Sequence, residues 1–495
     1  MVKNKLSRTQ VLDMDATALL EAYRDGAITP GEAVDVYIEQ QKRINKKLNL
    51  VVDDRYEAAR QEAAQCENRL KKGKTDGKLS GIPMTMKEAF DVAGMRTTGA
   101  LKHLKDRGFA PEDAEAVKRL RREGAIILNK SNTPPLCFCQ ETNNILFGRS
   151  NNPWNPDFTT GGSSGGEAGL MAVGGAAAGF GSDIGGSIRI PSHFNGVVGF
   201  KAGAFRFPEQ GHLPEVTVEN QKRMLGFGPI TKSVRDAALL YSIVEPSFKV
   251  PVSWDIPKGT KVVSFGSFHK TRCTTETMDI LQKAQDALCA SAAGIELDNV
   301  PPPFMKDVAL IWQLIMSEDG AAGIREWAYP HLKKGNFRDH FRIIFDFVKA
   351  KVGFKAMNHP FISWGIFGAW LFAPNRKKRE KINRFVETHL KEIEELLGNR
   401  GVFLIPTYPS PAKKHNRIYW EIFNIRKTLR WVLPFVALPN TFGLPAIIVP
   451  CGQSTEGLPI GLQVVSTVGN EDLLFRVASF LESQLGGYRR CTAHD

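Results

Sequence analysis

The chain has no run of roughly 18 or more apolar residues free of proline and polar interruptions, so no spanning helix is expected. Cysteine is scarce. Cys66, Cys137, Cys139, Cys273, Cys289, Cys451 and Cys491 are seven among 495 residues, odd in number and scattered. That argues against a disulfide framework and for a reducing compartment. Cys137 and Cys139 lie close together but have no matching His/Cys cluster, so neither a zinc site nor any other metal or cofactor is expected. The first residues, MVKNKLSRTQ, lack the apolar centre of a signal peptide. The last, YRRCTAHD, carry no prenylation, ER-retention or peroxisomal signal. The sequence therefore predicts an intracellular protein, cytoplasmic or peripherally bound to an internal membrane.

What is present is a globular composition, 42% hydrophobic and 24% charged, with a substantial core. The net charge of +13 is local: residues 331–430 hold 21 Lys/Arg against 8 Asp/Glu, and the rest is about neutral. A basic region of this kind fits an acidic partner surface, membrane or nucleic acid, or a solvated basic face.

Hydrophobic periodicity predicts alternating helices and strands, hence a mixed α/β fold. Two helices are expected over 13–45. Thr29, Pro30 and Glu32 form a helix start of N-cap, N1 proline and capping box. Strands are expected at 48–52, 81–87, 125–129, 261–265 and 295–300. Helices are expected at 54–72, 113–123, from Ser233 to about 244, and at 275–293, 376–397 and 471–485. VFLIPTYPSPA, FGLPAIIVPCG and GLPIGLQVVS read as short apolar strands bounded by Pro and Gly. Residues 129–156 read as a long Asn/Pro-rich loop, of the kind that usually serves function when ordered. No internal repeat or linker divides the chain. One domain over 1–495 is expected: N-terminal helices over 1–75, a core over 76–245 and a C-terminal part over 246–495.

Residues 356–374, AMNHPFISWGIFGAWLFAP, are uncharged apart from any charge on His359. Lys349, Lys351 and Lys355 flank them on one side and Arg376, Lys377, Lys378 and Arg379 on the other. Proline and glycine break the segment too often for a spanning helix. Trp364 and Trp370 are residues that favour a membrane interface. An apolar patch rimmed by cations fits peripheral insertion into an anionic leaflet; a core helix with charged ends is the alternative.

The most unusual stretch is 161–201, GGSSGGEAGLMAVGGAAAGFGSDIGGSIRIPSHFNGVVGFK. Two serine-bearing glycine turns bracket an Ala/Gly-rich middle. The stretch holds no Gly-Lys-Ser/Thr, so it is not a Walker loop. It also fails the dinucleotide fingerprint, since Ile184 stands where the third glycine is needed after Gly179 and Gly181. Gly161–Gly165 matches the G-x-S-x-G nucleophile elbow at Ser163, but NPWNPDFTT before it does not read as the required strand. In the second turn, the N–H groups of Ile184, Gly185, Gly186 and Ser187 form a nest for developing negative charge, with Gly185 and Gly186 in unusual dihedrals and Ser187 at the start of the next helix. His193 is placed as a structural residue rather than a base, because no Asp–His pattern accompanies it. Lys87 closes the strand at 81–87.

These residues resemble the amidase signature. The match includes the spacing of the two serines, the upstream GIPMTMKEAF, and the later NTFGLPAIIVPCG and GLPIGLQVV. It covers nearly the whole chain. Within the family, GGSSGGE, LFGRSNNPW and the Trp-rich segment are most similar to the fatty-acid amide hydrolases, particularly the second vertebrate type. The resemblance implies a single amidase-signature domain with a mixed, twisted central sheet covered by helices on both faces. It implies a Ser–cis-Ser–Lys triad: Lys87 as base, Ser163 as relay, Ser187 as acyl-ester nucleophile. Ile184, Gly185, Gly186 and Ser187 would form the oxyanion hole, Ser164, Asp183 and Arg189 would support the turns, and the carbonyl of Cys137 would meet the substrate amide. After GFK the sequence departs from the family with AGAFRFP. No N-terminal membrane anchor of the kind found in many fatty-acid amide hydrolases is visible.

Hydrolysis of fatty-acid amides at a membrane surface is the leading expectation, with 356–374 as membrane contact and gate. A second copy of the chain is a candidate partner, and nucleic acid is not. The alternatives are a soluble amidase for small or aryl amides and a protein like the glutamyl-tRNA amidotransferase subunit that makes Gln-tRNA. A catalytically dead lipid carrier is disfavoured by the intact Lys87, Ser163 and Ser187.

Overall fold

The computed structural model describes the chain except residues 1–4, 333–336, 353–355, 423–426 and 430–432. Lys355 and the first four residues of the N-terminal reading therefore lie outside the described residues. One mixed sheet of eleven strands runs through the molecule. In chain order these are β1 (Val51–Asp54), β2 (Pro83–Lys87), β3 (Ile126–Ser131), β4 (Ala178–Asp183), β5 (Val198–Lys201), β6 (Gly226–Thr231), β7 (Lys261–Ser264), β8 (Glu296–Asp298), β9 (Gly401–Pro406), β10 (Ala446–Gln453) and β11 (Pro459–Val465). Their order across the sheet is β1-β3-β2-β4-β6-β5-β10-β11-β9-β7-β8.

The C-terminal strands are apolar at nearly every position because both faces are covered. In β9, Val402 and Leu404 enter one core while Phe403 and Ile405 enter the other. On the first face the helices Pro30–Leu48, Val234–Val244, Thr275–Cys289 and Glu471–Leu485 bury Val34, Leu240, Leu281 and Phe475. On the second, Arg189–Asn195, Met305–Met316 and Arg376–Leu397 bury Ile190, Val308 and Ile393.

The expected elements are present with shifted ends. The two helices expected over 13–45 are Ala16–Arg24 and Pro30–Leu48, the latter with the full Thr29–Glu32 capping box, and a short helix, Arg8–Asp13, precedes them. Leu48 remains helical and Asn49 takes the left-handed C-cap (φ 52°), so the first strand starts at Val51 rather than residue 48. The third strand extends to Ser131, two residues into the expected loop. Asn129, Lys130 and Ser131 are buried polar residues, so apolar periodicity does not reveal them. The rest of that loop includes a short turn at Pro135–Cys137 and a small hairpin pairing Asn143–Asn144 with Gly148–Arg149.

What positions the site is the neighbourhood of β2 and β4. They pair in parallel, Met84 opposite Ala178 and Met86 opposite Phe180. Both strands therefore end at the same edge of the sheet, delivering Lys87 and Asp183 together. Ligand sites in α/β sheets gather at such carboxyl ends.

Candidate active site

Three segments converge at that edge. Lys87 Nζ lies 2.6 Å from Ser163 Oγ. The Gly162–Ser163 peptide is cis, the unusual geometry expected before Ser163. Thr133 Oγ1 donates to the Ser163 carbonyl at 3.0 Å. The Ser164 N–H donates to the Ser187 carbonyl at 3.0 Å and ties the two serine turns together. No strand precedes Ser163, so the elbow reading fails on geometry as well. The helix Gly165–Ala172 seats tightly behind the turn: a Cβ on Gly166 would stand 2.7 Å from the Asn132 carbonyl oxygen. Only glycine lets the two backbones approach so closely.

Lys87 is wholly buried. Burial lowers its pKa, and Cys137, Asp183 and Glu167 oppose the shift. A buried amine below its ordinary value is a better base near neutral pH. Glu167, also buried, accepts hydrogen bonds from Ser131 Oγ at 2.6 Å and from Thr85 Oγ1. Burial pushes its pKa up to about 7.

Asp183 organises the second turn. It accepts the N–H groups of Gly186, Ile188 and Arg189 at 2.9, 3.1 and 3.3 Å. Arg189 grips it with two parallel hydrogen bonds of 2.9 Å, and neither side chain reaches solvent. Asn440, which the sequence did not single out, donates to the same carboxylate at 3.0 Å and accepts from Arg189. Burial alone would push Asp183 up; the Arg189 charge and hydrogen bonds hold it well below the usual carboxylate range. Arg189 also donates to Gln463 Oε1 and the Val436 carbonyl, both at 3.1 Å. Replacing Arg189 by Met should cost about 3–5 kcal/mol, because it leaves a buried carboxylate uncompensated. Urea unfolding of the variant checks this.

The peptide planes from Ile184 to Ser187 are each held by a carbonyl bond. Trp312 Nε1 donates to Ile184 O at 2.8 Å, Gln140 Nε2 to Gly185 O at 2.9 Å, and Ile190 N to Gly186 O at 2.7 Å. In a trans peptide the next N–H points the opposite way, so these bonds aim the N–H groups of Gly185, Gly186 and Ser187. Gly186 N–H is aimed at Asp183 and is engaged there, whereas Ile184, Gly185 and Ser187 line the adjoining cavity. The expectation of unusual dihedrals at both glycines needs correction. Gly186 has φ 92°, but Gly185 is not at positive φ. Gly185 is required by contact instead, since a Cβ there would stand 2.5 Å from the Trp312 ring. The helix after Ser187 begins at Arg189.

Two cavities meet at Ser187. One, of about 330 Å³, is walled mainly by apolar side chains, among them Phe138, Trp312, Phe361, Trp364, Phe367 and Phe372. The other, of about 70 Å³, is polar at Ser163, His212, Glu215, Thr217 and Asp319. Cys137 lies on both, at φ 58°. His193 is away from this centre. Its Nδ1 accepts from Gly461 N at 2.8 Å and its Nε2 lies 3.1 Å from the Ser410 carbonyl, so it fastens its helix to neighbouring backbone. Burial lowers its pKa to about 4. Ser164 is buried behind the turn, its Oγ 3.5 Å from Ser182 O.

The segment expected to be membrane contact or core helix forms the helix Pro360–Leu371, N-capped by His359. Phe361, Ile362 and Ile366 are buried, while Leu371 and the following Phe372 are each 58% exposed. Among the described residues no helix is long and apolar enough to cross a membrane. Sequence reasoning assigned no role to Trp312, Gln140, Asn440, Ser182 or His212. Ser182 lies within the 161–201 stretch and Asn440 opens NTFGLPAIIVPCG, without a signal that marks either, and only the fold brings Trp312, Gln140 and His212 near.

The chain is similar to known proteins over nearly its whole length. The family model described as Amidase matches residues 32–475. Human fatty-acid amide hydrolase 2 is 31% identical over 471 residues, covering 92% of this chain and 86% of that protein. A glutamyl-tRNA(Gln) amidotransferase subunit of Halothermothrix orenii is 27% identical, covering 96% of this chain and 98% of that one. A crystal structure of an amidase superposes with a TM-score of 0.77 at 26% identity, covering 96% of this chain and all of that one. With a family model spanning most of its length and a relative above 30% identity, the chain belongs to the amidase signature family of amide hydrolases.

Proposed function

We propose that this protein hydrolyses fatty-acid amides, N-acylethanolamines and primary fatty amides, to free fatty acid and amine through Lys87, Ser163 and Ser187. The observation that carries this reading is the apolar cavity of about 330 Å³ that opens onto Ser187. Its aromatic walls suit an acyl chain. The smaller cavity at Ser187, which carries the polar side chains Ser163, His212, Glu215, Thr217 and Asp319 among apolar ones, suits the amine and the incoming water.

Neutral Lys87 takes the proton of Ser163 while Ser163 takes that of Ser187. Ser187 Oγ bonds to the carbonyl carbon, and the carbonyl electron pair moves onto oxygen. The N–H groups of Ile184, Gly185 and Ser187 receive the oxyanion; Gly186 N–H joins them only by leaving Asp183. The Cys137 carbonyl accepts from the substrate N–H. The relay then returns its proton to nitrogen as the C–N bond breaks. Water attacks the acyl-enzyme, passes a proton back through the relay to Ser187, and the fatty acid leaves.

Peripheral membrane contact is part of the proposal. The helix that walls the cavity continues into exposed Leu371 and Phe372, and the neighbouring helix Phe337–Lys351 exposes Phe341 and Phe345. Lys349 stands over the Phe345 ring, and Arg376, Lys377 and Lys378 follow Phe372 closely in sequence. Apolar side chains ringed by cations favour an anionic leaflet.

Turnover should rise steeply with acyl chain length, by at least about tenfold from an acetyl to an oleoyl amide, since each buried CH₂ contributes ~0.8 kcal/mol. The protein should also cosediment with anionic liposomes. Equal turnover of short and long amides with no liposome binding would sink the lipid reading and leave a soluble amidase. Activity that appears only in a partner complex would point to an amidotransferase role.

A further inference from the structure

Lys87 has a second hydroxyl neighbour. Ser182, the penultimate residue of β4, presents Oγ at 2.9 Å and its carbonyl oxygen at 3.3 Å to Lys87 Nζ. On the far side of that hydroxyl, 2.9 Å away, stands His212 Nε2. The other ring nitrogen, Nδ1, lies 3.3 Å from the Pro214 carbonyl. Phe90 and Phe227 pack against the imidazole with centroids 4.9 Å away.

These contacts have only one consistent proton arrangement. A carbonyl can only accept, so Nδ1 carries the ring hydrogen, and in a neutral imidazole Nε2 is then an acceptor. Burial is the largest cause lowering the His212 pKa and holds the ring neutral. Ser182 therefore gives its single hydrogen to His212 and turns a lone pair to Lys87. A neutral lysine has two N–H bonds and one lone pair. The two oxygens of Ser182 take the N–H bonds, which leaves the lone pair for Ser163 Oγ. Without His212, the Ser182 hydrogen is free to occupy that lone pair itself.

We propose that His212 is a positioning residue of the proton relay: by accepting the Ser182 hydrogen it forces Ser182 to accept from Lys87, which aims the amine lone pair at Ser163. The proposal rests on the relay described above. Other titratable groups around it are Cys137, Asp183 and Glu167 near Lys87, and Glu215 and Asp319 on the cavity shared with His212.

The test is the rate of fluorophosphonate labelling at Ser187 as a function of pH, which needs no lipid substrate. His212→Leu should label about tenfold more slowly on the high-pH plateau, the scale of one lost hydrogen bond. Its pH limb should move to lower pH, because a Ser182 hydrogen donated to Lys87 favours the neutral amine. His212→Gln, which restores an acceptor, should recover most of the rate. Ser182→Ala leaves the Phe90–Phe227 packing in place and should be slowed similarly. Adding His212→Leu to it should change nothing further, whereas a purely structural role would add its own loss. If His212→Leu does not fold, the Gln and Ser182→Ala variants still decide. Wild-type rate and limb in His212→Leu, no rescue by Gln, unchanged labelling of Ser182→Ala, or multiplying effects in the double variant would each overturn the proposal. Failure of the wild-type protein to label at Ser187 would instead bring down the relay itself.

Discussion

Replacing Ser187 by Ala is expected to lower amide turnover by about 10⁴-fold or more, the scale seen when a serine hydrolase loses its nucleophile. Ser163 is not placed to substitute for it. Ser163 bonds Lys87 at 2.6 Å and lines only the smaller cavity, whereas Ser187 lines both. Fluorophosphonate labelling with mass-spectrometric location of the adduct separates the two serines. The wild type should carry the label on Ser187 and the Ala variant should carry none. A label on Ser163, or full labelling of the variant, would overturn the nucleophile assignment.

The second large effect is expected at Lys87. Met fills similar space and cannot take a proton, so Lys87→Met should lose about 10²–10⁴-fold, the usual range for a positioned acid–base group. The sign of the pH dependence follows from the relay. Only the neutral amine is a base, so kcat/KM of the wild type should rise with pH through the Lys87 pKa and then level off. Burial lowers that pKa, so the limb should lie below the range of an exposed lysine. Lys87→Met should lose the limb along with the rate. A variant that keeps a wild-type limb would show that another group supplies the base. The loss should also be greater for an amide than for the matching ester, because the amine needs a proton as it departs and the relay supplies it.

Both effects depend on the rigidity of the turns. Asp183 and Arg189 hold the second turn from inside the protein, and Trp312 and Gln140 hold its carbonyls from the cavity side. Donors fixed before the reaction need no reorganisation as charge develops. Trp312 has a double role, since it braces this turn and also walls the apolar cavity. In the proposed reading, acyl-chain recognition and the alignment of the oxyanion donors would share this one side chain.

Much of this protein was determined by local sequence. Alternating Ile82, Met84 and Met86 could bury themselves only as a strand, and that strand ends at Lys87. Thr29, Pro30 and Glu32 close a capping box with any helix that follows them. The two glycine–serine turns sit where side chains leave no room, and their small residues announce it. Lys87, Ser163, Ser187, Asp183 and Arg189 were legible as candidates through the resemblance of their stretches to the amidase signature, and Asp183 and Arg189, six residues apart, meet within one turn. Tertiary structure alone decided the rest. Asn440 and Gln463 reach Arg189 across more than 250 positions of chain, His212 reaches Ser182 from a segment without periodicity, and Trp312 reaches Ile184 from the helix Met305–Met316. Such contacts leave no spacing to read, because a hydrogen bond between distant segments depends on where the sheet places them. Sheet order made the site: β2 and β4 are nearly a hundred residues apart in sequence, and their parallel pairing is what sets Lys87 beside the second serine turn.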